Sequence, residues 1–278
     1  MNVEDSALNF LCHDAWLYGI LSLPEQARAR GILIVVGGPQ YRTGSHRQFT
    51  LMARFFASHG IPVMRFDYRG MGDSDGDVRN FEHVDGDLRC AIDHFTQVVP
   101  GLTEVVILGL CDAASAALFY AYQDQRVTGM VLINPWVRTE AGIAKAYLKH
   151  YYLRRFLDLD LWKKVIVGRL NYVKTIRSFS KMLMSVFVRR REPETVTLPD
   201  RMHDGLRRFK GKVLLILCGN DLTAMEFSDL VQRAEKWQAS LGSEQVTRHD
   251  LPNANHTFSQ RDWRDQITTW IKDWMQAW

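Results

Sequence analysis

No stretch of the 278 residues reaches the roughly 18 uninterrupted apolar positions that a membrane-spanning helix requires. The opening MNVEDSALNF has no basic region followed by an apolar one, so no secretory leader is expected and the reading is cytoplasmic. Cysteine is scarce. Cys12, Cys90, Cys111 and Cys218 lie far apart without a C-x-x-C pair, which argues against a zinc site, gives no sign of a secreted disulfide framework and leaves four free thiols as the expectation. No repeat and no Gly/Ser-rich linker divides the chain. No nucleic-acid recognition motif accompanies its basic residues, and neither a metal nor an organic cofactor is expected.

An apolar share of 46% is enough for a large core. Short β-branched runs alternate with helical patterns: GILIVV (31–36), IPVMRF (61–66), EVVILGL (104–110), VTGMVLIN (127–134), KVLLILC (212–218) and EQVTRHDL (244–251). Helices are predicted between and after them, at about 46–59, 83–98, 112–124, 225–241 and 260–276. This alternation predicts an α/β fold with a mostly parallel, doubly wound sheet. NFLCHDAWLYGILSLP (9–24) reads as an antiparallel hairpin added at its edge.

The alternation breaks after Pro135 and resumes near Lys212. Residues 136–205 read as an inserted cap of amphipathic helices, leaving 1–135 and 206–278 as the core, with RRREPETVTLPD (189–200) as the loop returning from it. From Arg138 to Arg191 fourteen Lys/Arg face three acids, so this segment carries +11 and the rest of a +4 chain carries −7. Two readings follow. The basic helices, with Trp162, Tyr172, Phe179 and Phe187, lie on an anionic membrane surface and serve a lipid-carried substrate, peripheral to the inner membrane. Alternatively they cover the active site and turn their charges to water.

VVILGLCDAASAAL (105–118) joins a β-run to an Ala-rich helix through Cys111. A nucleophile elbow needs this strand, tight turn and helix, with small residues flanking the nucleophile, and Gly109 and Ala113 supply them. An isolated cysteine is also commonly a buried core thiol. What separates the two is order. Asp221 follows KVLLILC and His256 follows EQVTRHDL, so nucleophile, acid and base occur in the sequence and at the strand ends that the chemistry needs. Alone, Asp221 would pass as a helix cap and His256 as a surface loop residue. Ser115, inside the helix, reads as a small packing residue. The oxyanion donors are expected to be the Asp112 N–H and one from VVGGPQYRTGSHRQF (35–49). Pro39 has none to give, so that donor is Gly38 or Gln40. Arg42, His46 and Arg47 in this loop are candidates for holding an anionic or polyhydroxylated substrate, or merely a solvated basic helix start. The Asp112 side chain either caps the helix or meets a substrate hydroxyl or amine.

With FDYRGMGDSDG (66–76), which matches the D-x-R-G-x-G-x-S loop of many cap-bearing members, these features resemble the α/β-hydrolase superfamily over nearly the whole chain. The cysteine is similar to that of dienelactone hydrolases, whereas the large basic cap is not. GGPQYRTGSHRQF, GLCDAASAAL, GNDLTAMEF and NANHTFS, in that order, resemble the exosortase A system-associated hydrolase 1 family. That resemblance implies a bacterial setting beside exopolysaccharide and protein-sorting machinery more firmly than it implies a substrate. The expected function is a hydrolase or acyltransferase acting on an ester or thioester through Cys111, His256 and Asp221. Its rival is a non-catalytic scaffold that binds a partner or the membrane through its basic cap. Oligomeric state is not legible.

Overall fold

A computed structural model of the chain describes residues 3–38, 40–137 and 196–278. The chain divides into two units, one of residues 1–136 with 199–278 and the other of 137–198. Residues 138–195, which hold most of the expected cap and the whole +11 segment, lie outside the described residues, as does Pro39.

The described strands are β1 (Val3–Cys12), β2 (Ala15–Pro24), β3 (Arg30–Val35), β4 (Val63–Asp67), β5 (Glu104–Leu110), β6 (Val127–Ile133), β7 (Lys212–Asn220) and β8 (Val246–Asn255). They form one sheet in the order β1-β2-β4-β3-β5-β6-β7-β8, parallel from β4 through β8. The β1–β2 hairpin joins antiparallel to β4, with Tyr18 opposite Asp67. The described helices are α1 (Gln48–Ser58), α2 (Asp85–Val98), α3 (Asp112–Tyr120), α4 (Leu198–Arg208), α5 (Leu222–Arg233), α6 (Glu235–Leu241) and α7 (Arg261–Gln276).

The central strands are apolar on both faces because helices cover both faces of a doubly wound sheet. Ile32, Ile34, Val106, Leu108, Val131, Ile133, Leu214 and Ile216 form one core layer with Phe49, Met52 and Phe56 of α1 and Ile267, Ile271 and Trp274 of α7. The intervening Leu33, Val35, Val105, Ile107, Leu132 and Leu215 are equally buried on the other face. β8 lies at the edge and alternates differently, exposing Thr247, Arg248 and Asp250, charges that discourage pairing with another sheet edge.

Three expected boundaries shift. The helix read as 225–241 is two, because Ala234 adopts φ −122° and ψ 103° between α5 and α6. Residues 198–200, expected within the return loop, open α4, which tolerates Pro199 because the first-turn N–H groups of a helix have no partner to lose. The helix read as 112–124 ends at Tyr120 and continues as a 3₁₀ turn over Ala121–Gln123.

The D-x-R-G-x-G-x-S loop works as a clamp. Gly70 and Gly72 take positive φ (74° and 55°), and a Cβ at Gly72 would collide with the Asp67 carboxylate. Buried Asp67 accepts the Arg42 N–H at 2.7 Å and pairs with the Arg42 guanidinium, and burial pushes its pKa up. Arg69 reaches buried Asp87 of α2 from its backbone N–H (3.0 Å), Nε (2.8 Å) and Nη2 (3.0 Å). Removing one partner of a buried ion pair leaves the other charge uncompensated. Asp87→Ala is therefore expected to destabilise the protein by about 3–5 kcal/mol in urea unfolding, and a change under about 1 kcal/mol would show that the pair is not holding the loop.

Beyond the sequence expectation, one of the thiols is tied to the backbone of α2. The Cys12 thiol donates to Gly86 O (3.5 Å), and its pKa is raised by burial first and by the neighbouring Cys90 second. All four cysteines are free.

Candidate active site

In a parallel sheet every strand points the same way, so residues immediately after adjacent strands gather at one edge. Cys111 follows β5, Asp221 follows β7 and His256 follows β8. The last register pair of β7 and β8 is Asn220 opposite Asn255, beyond an irregularity at Gly219, which sets Asp221 beside His256. A Cβ at Gly219 would run into the Pro252 backbone, so the irregularity needs glycine.

Cys111 sits at φ 65° and ψ −125°, a strained conformation for a non-glycine residue. It is held there from both sides: its N–H donates to Ile133 O (2.9 Å), and its carbonyl accepts from Ala114 (3.1 Å) and Trp136 (3.2 Å). The strain turns the side chain off the strand end, where Cys111 stays half-buried. Gly109 is obligatory, since a Cβ there would meet Ala113 C, Ala113 O and Ala114 N at 2.5 Å. Ser115 is buried and more than filler, donating to Trp136 O at 2.7 Å and tying the loop after β6 to the elbow.

Asp221 has two duties. Its Oδ1 caps α5 by accepting the Thr223 N–H (2.9 Å), and its Oδ2 accepts from His256 Nδ1 (2.7 Å). The cap reading and the catalytic reading of this residue are compatible. The His256 loop is braced by Asn255, which donates to Ser259 Oγ (2.7 Å) and accepts the Ser259 N–H (3.2 Å), and by buried Phe258 at φ 48°. The His256 pKa is pushed up to about 10, first by the hydrogen bond to Asp221 and then by the nearby Cys111 thiol, with burial opposing both. Imidazole and carboxylate are thus hydrogen-bonded to each other at the strand edge where the Cys111 elbow also lies.

On the other side of the elbow, Gly38 N–H donates to Asp112 Oδ2 at 2.8 Å. Gln40 is half-buried, and its Oε1 has no hydrogen-bond partner among the described residues. Of the two loop candidates it is Gly38 whose N–H is directed at the start of α3. Arg42 is committed elsewhere: its guanidinium pairs with Asp67 and Asp73 (2.8 Å to the latter) and stacks on Tyr41, bracing the loop to β4. His46 and Arg47 are exposed on a 3₁₀ turn before α1, both at positive φ, and no hydrogen bond among the described residues joins them to Cys111, Asp221 or His256. Sequence reading overlooked Asn134. At φ 47° its N–H donates to Ile216 O (3.0 Å) and its Oδ1 accepts the Cys218 N–H (2.9 Å), locking the ends of β6 and β7 together between the cysteine and aspartate loops. A polar residue closing the apolar run VTGMVLIN was the available signal.

Among the described residues no cluster of His, Cys, Asp and Glu is arranged to hold a metal, and no helix is long and apolar enough to cross a membrane.

The esterase Pf2001 of Pyrococcus furiosus has a similar fold, with a TM-score of 0.67 at 15% identity over 99% of this chain and 93% of that one. Est1E of Butyrivibrio proteoclasticus, solved with ferulic acid bound, gives 0.62 at 12% identity over 97% and 98%. At such identities the likeness is one of fold. The polyketide transferase grgF of a Penicillium species is 27% identical over 144 residues, a match spanning 49% of this chain and 45% of that protein. Residues 32–267 match the model of the alpha/beta hydrolase family, and with this sheet order and strand-end constellation the chain belongs to that family.

Proposed function

We propose that the protein transfers acyl groups from an ester or thioester through a covalent acyl-Cys111 intermediate. Cys111 passes its proton to His256 Nε2, and the sulfur attacks the carbonyl carbon to give a tetrahedral oxyanion. Collapse breaks the bond to the leaving oxygen or sulfur, which takes the proton from His256. Water or another hydroxyl then attacks the thioester, delivers its proton to His256, and releases Cys111. Asp221 holds the imidazole through Nδ1 and stabilises its charged form throughout. What supports this reading is the strained elbow at Cys111 together with the Asp221–His256 hydrogen bond at the same edge of the sheet.

Hydrolysis and transfer share the first half of this scheme and differ in the second attacker. Resemblance to a polyketide transferase over half the chain favours an acceptor other than water, while the esterase neighbours share only the fold. The basic segment 138–191 fits a cap and an acyl substrate carried on an anionic lipid surface, and the resemblance to the exosortase-associated family fits a role in exopolysaccharide assembly or protein sorting. Incubation with a panel of acyl esters and acyl thioesters, read by intact mass and peptide mapping, is expected to show an acyl adduct on Cys111. No adduct from any member would favour the rival reading of a non-catalytic scaffold.

A further inference from the structure

The oxyanion side of the elbow holds a carboxylate of the chain itself. Asp112 is the first residue of α3, where the N–H groups of residues 112 and 113 have no carbonyl partner within the helix. Its side chain folds back over them. Oδ2 accepts the Gly38 N–H at 2.8 Å, and Oδ1 is buried with no hydrogen-bond partner among the described residues. The Gly37 backbone passes so close that a Cβ there would collide with Asp112 Oδ1 and with Leu110 O, so glycine at 37 makes room for the carboxylate. Two forces oppose each other on this group. Burial raises its pKa, while the N–H groups of Gly38, Ala113 and Asp112 itself, and the charge on His256, favour the anion. The donor that holds the carboxylate, Gly38 N–H, is one of the two expected to face a developing oxyanion in the acyl-transfer reading.

We infer that the Asp112 carboxylate is an internal occupant of the oxyanion hole, a positioning residue that must leave the Gly38 N–H before an acyl oxygen can take its place. This rests on the proposed role of Cys111. Its consequence is a slow acylation step in the resting protein. An oxyanion competes for the same donor against a tethered anion, and a charged acceptor holds an N–H more strongly than the neutral carbonyl of an approaching ester. A substrate that draws Asp112 away with a hydroxyl or amine of its own reacts faster than a simple acyl ester, which makes Asp112 a determinant of specificity.

The test compares two reactions of Cys111 that differ in one respect. Acylation by p-nitrophenyl acetate passes through an oxyanion, whereas alkylation by iodoacetamide displaces iodide from a saturated carbon and forms none. Asp112→Ala is expected to raise the acylation rate at least about tenfold, equivalent to about 1.4 kcal/mol, and to change alkylation by less than threefold. Asp112→Asn, isosteric and neutral, is expected to show a smaller rise in the same direction and serves if the alanine variant does not fold. Acylation that stays equal or falls in a folded variant while alkylation is unchanged overturns the inference, since Asp112 would then be a bystander or a helper. Acylation and alkylation rising together would overturn it too, by assigning the effect to the sulfur. If the wild type is alkylated at Cys111 but never acylated, the fault lies with the acyl-transfer reading instead.

Discussion

Cys111→Ala is expected to lower turnover of any acyl substrate by about 10⁴-fold or more and to abolish covalent labelling, with the urea unfolding midpoint little changed. The expected size follows from the scheme, in which no bond to the substrate forms without the sulfur. Folding is spared because the backbone at this position is imposed by its neighbours: Ile133 O receives the residue 111 N–H, and Ala114 and Trp136 bind its carbonyl, whatever the side chain. The other thiols provide the contrast. Burial pushes the Cys218 pKa up to about 12, with Asn134 opposing, and raises that of Cys12 as well, so both are overwhelmingly protonated near neutral pH and poor nucleophiles. Cys12→Ala, Cys90→Ala and Cys218→Ala should each retain labelling. Labelling that survives Cys111→Ala and disappears with one of these three would show that the elbow is not the nucleophile.

The parts of this site that sequence made legible are those fixed by local pattern. A strand that ends in G-x-C-x-A and runs into a helix has few ways to turn, because Gly109 excludes every side chain and the elbow then follows from hard contacts. Asp221 and His256 were legible for a different reason: they follow the last two strands of an alternating pattern, and parallel pairing brings strand ends together. What escaped were pairings over long separations. Nothing near Arg42 in the chain marks Asp67 and Asp73 as its partners, so a residue read as either a substrate contact or a solvated basic helix start gave no sign of the brace it forms. The Asp112 side chain was ambiguous for the same reason, since its partner Gly38 lies 74 residues away. Periodicity also runs on through Ala234, where only the backbone angles reveal that α5 stops and α6 begins. The functional setting was the least legible, because a cysteine elbow specifies a covalent intermediate and leaves both acyl donor and acceptor to residues beyond it.

Asp221→Asn is expected to cost about 10⁴-fold in turnover and to move the alkaline limit of activity, and the substitution isolates the carboxylate from its structural duty. Asparagine is as good a helix N-cap as aspartate, so the Thr223 N–H keeps an acceptor and α5 keeps its start. What is lost is the negative charge on His256 Nδ1. That bond is the largest cause of the raised His256 pKa, about 10 against an ordinary 6.5. In the wild type the Asp221 carboxylate stabilises the imidazolium that His256 becomes on taking the Cys111 proton, the form that then protonates the leaving group, and this form is lost as pH rises through about 10, so kcat/KM should fall there. In the variant that fall should move toward the ordinary histidine range. Stability changes in the same sense. A pKa raised on folding contributes stability that is fully present below the unfolded value near 6.5 and is lost as pH climbs through about 10. The difference in unfolding free energy between wild type and Asp221→Asn should therefore be largest at or below about pH 6.5 and shrink steadily toward pH 10 and above. A variant within tenfold of wild-type turnover, or one whose alkaline limit stays where it was, would show that Asp221 caps α5 and does nothing for His256.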